Sequence, residues 1–79
     1  MKIGVLALQG DVREHIQSLS DCGVDARAVK TKSEIEEISA LVIPGGESTT
    51  IAKLARSFDL FDLIKSRIKS GMPTYGSCA

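Results

Sequence analysis

The sequence lacks a charge excess of either sign. Ten lysines and arginines are balanced by ten aspartates and glutamates, interspersed along 79 residues. Such a chain has no long-range field of the kind that draws a protein to nucleic acid or anionic lipid, so neither is an expected partner. Cysteine is also scarce. Cys22 and Cys78 are the only two, too few for the disulfide framework of a small secreted fold. Long apolar runs are missing. The opening run from Ile3 to Leu8 is too short for a signal-peptide core and meets Gln9 and Asp11 at once, so neither export nor a membrane span is supported and the cytoplasm is the expected compartment. There is no internal repeat, low-complexity tract or interdomain linker.

What is present favours folding. Hydrophobic residues make up 43% of the chain, an ordinary globular share. The length limits the result to one domain at most, and a chain this short buries only about 60% of the surface it exposes when unfolded.

Ile3 to Leu8 is apolar without alternation, the pattern of a strand covered on both faces of a parallel sheet. Asp11 and Glu14 read as a capping-box-like start to a helix over residues 11–22, in which Val12, Ile16 and Leu19 share a face and Cys22-Gly23 closes the element. Asp25 to Lys30 reads as a short strand with Ala26, Ala28 and Lys30 on one face. Ser33 and Glu36 suggest a second capping box before a brief helix. Ala40 to Ile43 is a buried strand halted by Pro44-Gly45-Gly46. From Thr49, the residues Ile51, Leu54, Ala55 and Phe58 mark one helical face. Leu60, Phe61, Ile64 and Ile68 mark the next, ended by Gly71 and Pro73. Thr74-Tyr75-Gly76 begins a last short strand. Strands alternating with helices imply right-handed βαβ units, a doubly wound and mostly parallel α/β sheet with helices on both faces.

Such sheets carry their functional loops at the carboxyl ends of the strands. Three segments belong there: Gln9-Gly10-Asp11, Pro44-Gly45-Gly46-Glu47-Ser48, and Gly76-Ser77-Cys78. A cysteine on a tight strand-to-helix turn is held exposed, with a helix N-terminus that favours the thiolate. Gly76-Ser77-Cys78 fits the first half of a G-x-C-x-G elbow, although a cysteine after a short strand also serves as a small core hydrophobe. The Gly45-Gly46 loop frees backbone N–H groups suited to an oxyanion or a carboxylate, while Ser48 equally suits the N-cap of the following helix. No lysine follows the glycines as a phosphate-binding P-loop requires, which argues against ATP.

Gly4 to His15, Leu41 to Thr50 and Gly76 to Ala79 resemble, in residues and in spacing, the class I glutaminase subunits of pyridoxal 5′-phosphate synthase, and the resemblance runs the length of the chain. It implies a flavodoxin-like strand order in the class I glutaminase fold, stopping just after the nucleophile elbow, with residues 1–79 forming the N-terminal portion of a single glutaminase domain. It implies Cys78 as the nucleophile toward L-glutamine, Gly46, Glu47 and Ser48 as substrate contacts, and Gln9 and Gly10 near the oxyanion site and the partner face. The expected partner is the (β/α)8 synthase subunit in a hetero-oligomer. It takes up the ammonia, and pyridoxal phosphate is the product of that complex; no cofactor or metal is expected on this chain.

The chain departs from the family pattern because the catalytic histidine and glutamate of these enzymes lie beyond residue 79. His15, the one histidine, is expected to be solvated or packed on its helix and not to replace them. The 79-residue polypeptide alone is therefore expected to be nearly inactive, since the members of a catalytic unit act together. Two other readings are a non-catalytic remnant that only binds a partner, and the glutaminase of a different class I amidotransferase.

Overall fold

The computed structural model describes residues 2–8, 12–44 and 48–76, the side chains at 48 and 49 excepted. In chain order the elements are β1 (Lys2–Leu6), α1 (Arg13–Asp21), β2 (Asp25–Val29), α2 (Lys32–Glu37), β3 (Ala40–Ile43), α3 (Ser48–Ser57), α4 (Phe61–Lys69) and β4 (Thr74–Gly76). The four strands form one sheet in the order β2-β1-β3-β4, and every pairing is parallel. The expected α/β architecture and strand succession are therefore present.

The order has a consequence for the two faces. The chain steps from β1 to β2 in one direction, then from β2 over β1 to β3 and on to β4 in the other. Right-handed crossovers consequently put α1 on one face and α2, α3 and α4 on the opposite one. Packing agrees: Leu6, Val29 and Leu41 from the sheet meet Ile35, Ile38, Leu60, Ile64 and Met72 in one buried cluster. Val5, one residue out of phase with Leu6, is buried on the α1 side.

Gly4 lets α2 approach the sheet. A Cβ there would lie 2.8 Å from Ile38 Cδ1, 2.9 Å from Ile38 Cγ2 and 3.0 Å from Val29 Cγ2. Gly4→Ala is expected to cost about 1–3 kcal/mol through overpacking, read as a lower urea midpoint at unchanged m-value.

Several element ends differ from expectation. β1 stops at Leu6, two residues early, and the half-buried Leu8 packs against the core beyond it. α1 begins at Arg13 behind Val12, whose side chain is buried and supplies no cap; Asp11, the expected cap, lies outside the described residues. The second capping box is formed by Thr31 and Glu34, not Ser33 and Glu36. Thr31 is extended at φ −124°, ψ 161°; its Oγ1 accepts from the Glu34 N–H at 3.3 Å, and Glu34 Oε1 accepts from the Thr31 N–H at 3.1 Å.

That box predicts a pH dependence. The Lys30 N–H, then the Thr31 hydroxyl and N–H, hold the Glu34 carboxyl below its ordinary range. A carboxyl lowered in the folded state contributes stability above its unfolded pKa and loses it as pH falls through the folded one. The loss of Tm on acidification from about pH 6 to 3 is therefore expected to be smaller in Glu34→Gln than in the unsubstituted chain. The site is exposed, so the difference is small.

Three helices end alike. The N–H of Gly23, Asp59 and Gly71 bonds back to Ser20, Arg56 and Ile68, and that of Val24, Leu60 and Met72 to Leu19, Ala55 and Arg67. These are Schellman pairs around a residue at positive φ, +83°, +59° and +104° in turn. The closure at Asp59 carries no glycine signal. It turns Leu60 into the core, fully buried, and leaves Phe58 50% exposed where the helical spacing had placed it with the apolar face. On β2 the expected alanine face is thinly covered, Ala26 half-buried and Ala28 exposed, and the buried anchor is Val29. α4 is tied to the end of α2 by the Arg67 guanidinium, which donates to Ile35 O and Ile38 O at 2.7 Å each.

Candidate functional site

The carboxyl ends of β1, β3 and β4 lie side by side at one level. Val5 is paired with Val42, and Ile43 with Gly76, so Leu6, Ile43 and Gly76 end three neighbouring strands in register. Adjacent strands are about 4.8 Å apart, which confines the three ends to a span of roughly 10 Å. In sequence, Gln9 follows Leu6 by three residues, Gly46 follows Ile43 by three, and Cys78 follows Gly76 by two. The expectation that three motif-bearing segments leave the sheet along one edge thus has a structural basis in strand order and register.

Gln9, Gly10, Gly46, Glu47 and Cys78 themselves lie outside the described residues. Ser48 is the first residue of α3, so this ten-residue helix begins five residues after the end of β3. The N-terminus of a helix carries a partial positive charge and free N–H donors.

His15 is exposed on α1, as expected for a solvated helix residue. It borders a shallow groove with Glu14, Ser18, Leu19 and Val42 on the α1 side of the sheet. Tyr75, 67% exposed, is paired with Val42 and so stands on the same side. Cys22 is exposed at the end of α1. The Asp25 carboxyl is held low by Arg27, and the Lys32 ammonium is raised by Asp59, 2.7 Å away. Both are solvated ion pairs of the kind that contributes little.

No group of three His, Cys, Asp or Glu that could hold a metal ion occurs among the described residues, and none of their helices is long and apolar enough to cross a membrane. The sequence reading missed an apolar cleft between α3 and α4, bordered by Ile43, Ile51, Ile64 and Ile68. Its signal was the width of the apolar stripes: Ala52 and Phe61 broaden both helices beyond what one core contact uses.

Known proteins are similar to this chain over nearly its whole length. A "Pyridoxal 5'-phosphate synthase subunit PdxT" of Nocardioides sp. is 62% identical over 77 residues, which are 98% of this chain and 38% of that protein. The proteins of the same name from Salinispora tropica and Rhodococcus opacus are 60% and 56% identical over the same length and coverage. The chain thus spans about two fifths of the curated relatives it matches, corresponding to their N-terminal part. A solved structure described as "Crystal structure of glutamine amidotransferase" superposes with a TM-score of 0.81 at 47% identity, covering 94% of this chain and 40% of that one. The family model for SNO glutamine amidotransferases matches residues 5–79, and the chain belongs to that family.

Proposed function

We propose that this chain is the N-terminal part of a glutaminase domain that hydrolyses L-glutamine and hands the ammonia to a pyridoxal 5′-phosphate synthase subunit. The observation that carries the reading is the alignment of the β1, β3 and β4 carboxyl ends, from which the Gln9-Gly10, Gly46-Glu47-Ser48 and Cys78 segments depart.

In this reading the Cys78 thiolate attacks the side-chain amide carbon of glutamine. The C–N bond breaks, the nitrogen takes up a proton and leaves as ammonia, and a glutamyl thioester remains for water to hydrolyse to glutamate. Gly46, Glu47 and Ser48 hold the substrate, and Gln9-Gly10 lies by the developing oxyanion and the partner face. Free backbone N–H groups at the start of α3 suit a carboxylate or an oxyanion. A thiol with an ordinary pKa of about 8.5 is only a few per cent ionised at neutral pH, so full activity needs the histidine and glutamate expected beyond residue 79. The working unit is a cytoplasmic hetero-oligomer with a (β/α)8 synthase subunit, and it needs no cofactor on the glutaminase side.

Ammonia release from L-glutamine, measured with and without the synthase subunit, tests this. The 79-residue chain is expected to be nearly inactive alone, and the same sequence extended to family length is expected to release ammonia when the synthase is added. An extended domain that folds, binds the synthase and releases none would remove the reading.

A further inference from the structure

Three of the four helices close through a residue at positive φ, but α2 does not. Its C-cap, Ile38, is extended at φ −89°, ψ 153°, and the last carbonyls of such a helix need donors from elsewhere. Arg67 supplies them from α4: its Nη1 donates to Ile35 O and its Nη2 to Ile38 O, at 2.7 Å each. A planar guanidinium spans two acceptors in a fixed fork, which a lysine ammonium does not. The same residue holds a second connection. Its backbone carbonyl accepts from the Met72 N–H at 3.0 Å, and Met72 O accepts from the Thr74 hydroxyl at 3.2 Å. Ile38 stands two residues before β3, and Met72 two residues before β4. These strands are paired, with Leu41 opposite Thr74 and the Leu41 N–H donating to Pro73 O at 3.0 Å. Arg67 therefore grips the entries to two adjacent strands, one with its side chain and the other with its main chain.

We propose that Arg67 is a positioning residue for the glutaminase reaction: by fixing the entries of β3 and β4 against each other, it sets the placement of the Gly46-Glu47-Ser48 segment relative to Cys78 at their exits. The two strands are four and three residues long, about 10–13 Å at 3.3 Å per residue. So short a ladder has little length in which to absorb a shift at its entry, and the shift reaches the carboxyl ends. A misplacement of about 1 Å, introduced far from the chemistry, can cost about a hundredfold in rate. Removal of the guanidinium also leaves the Ile35 and Ile38 carbonyls without their donors, which frees the α2–β3 connection from α4. The glutamine contacts all lie on one side of the displaced pair and the thiol on the other. Loss of Arg67 should consequently impair the attack more than the binding of substrate.

The proposal rests on the glutaminase reading, and its test separates the two. In the family-length domain with the synthase present, well below the Tm of each variant, Arg67→Met and Arg67→Lys are each expected to lower kcat for ammonia release about 10- to 100-fold. KM for glutamine should stay within about threefold. Val29→Ala is the control for stability alone. Val29 is buried in the same core but on β2, whose carboxyl end carries none of the three segments. Its truncation should lower Tm by at least as much and keep kcat within about twofold. An equal fall in kcat for Val29→Ala, or an undiminished kcat in Arg67→Lys, would overturn the proposal. Arg67→Lys retains the charge and a single donor group, so it decides the matter even if Arg67→Met does not fold. If the unsubstituted domain releases no ammonia, the glutaminase reading fails and amide exchange decides on Arg67. Arg67→Lys is then expected to speed exchange of the Leu41 N–H about tenfold while residues 25–29 of the β1–β2 pairing keep their rates. Equal acceleration in both places would mean a loss of overall stability and would overturn the proposal.

Discussion

Cys78→Ala is expected to lower ammonia release by the family-length domain on the order of ten-thousandfold or more, because no thioester can form and a catalytic unit that loses its nucleophile retains only binding and oxyanion stabilisation. The loss should fall in kcat, with glutamine still binding, since the proposed contacts at Gly46, Glu47 and Ser48 remain. Cys22→Ala is the matched control. Cys22 is exposed at the end of α1, and β1, whose opposite, carboxyl end leads into the proposed site, precedes that helix. Its replacement should leave the rate unchanged. Steady-state ammonia release by both variants, with the synthase present, decides the matter, and retained activity in Cys78→Ala would reassign the nucleophile.

The second large effect is on stability. Ile35 is fully buried in α2, within the cluster formed by Leu6, Val29, Ile38, Leu41, Leu60, Ile64 and Met72. Truncation of such a side chain to alanine costs about 2–5 kcal/mol. Folded domains are worth about 0.05–0.15 kcal/mol per residue, roughly 4–12 kcal/mol for a chain of this length. Ile35→Ala should therefore remove a large share of the total and leave a measurable unfolded fraction at room temperature. Phe58→Ala, at a half-exposed site, should stay within about 0.5 kcal/mol. Urea unfolding of both, compared at fixed m-value, checks the contrast. Equal midpoints would mean that α2 is not part of the cooperative core.

The same contrast shows what was legible. Ala40–Ile43 emerged at its observed bounds because an apolar run stopped by Pro44 is a local signal, and the last strand begins at Thr74 as expected because Gly71 and Pro73 end the helix before it. Phe58 was misplaced because helical spacing continues past Ser57, where the chain closes through Asp59 without a glycine. The cap of α2 was misassigned because Thr31 and Ser33 each precede a glutamate by three residues. Backbone conformation chose Thr31, extended at φ −124° and ψ 161°. The residues of the candidate site were legible only through family resemblance, since a cysteine, two glycines and a glutamate have no period.

Local patterning by itself determined the element types, their succession and the parallel character of the strands, because apolar runs and helical periodicity are properties of near neighbours. The order β2-β1-β3-β4, which brings the ends of β1, β3 and β4 to one edge, was expected through the family resemblance alone, and the tertiary structure fixed it. It also decided the one-sided stacking of α2, α3 and α4 that leaves a cleft between the last two. Both depend on pairings between residues tens of positions apart, which register and crossover handedness select and no local pattern encodes.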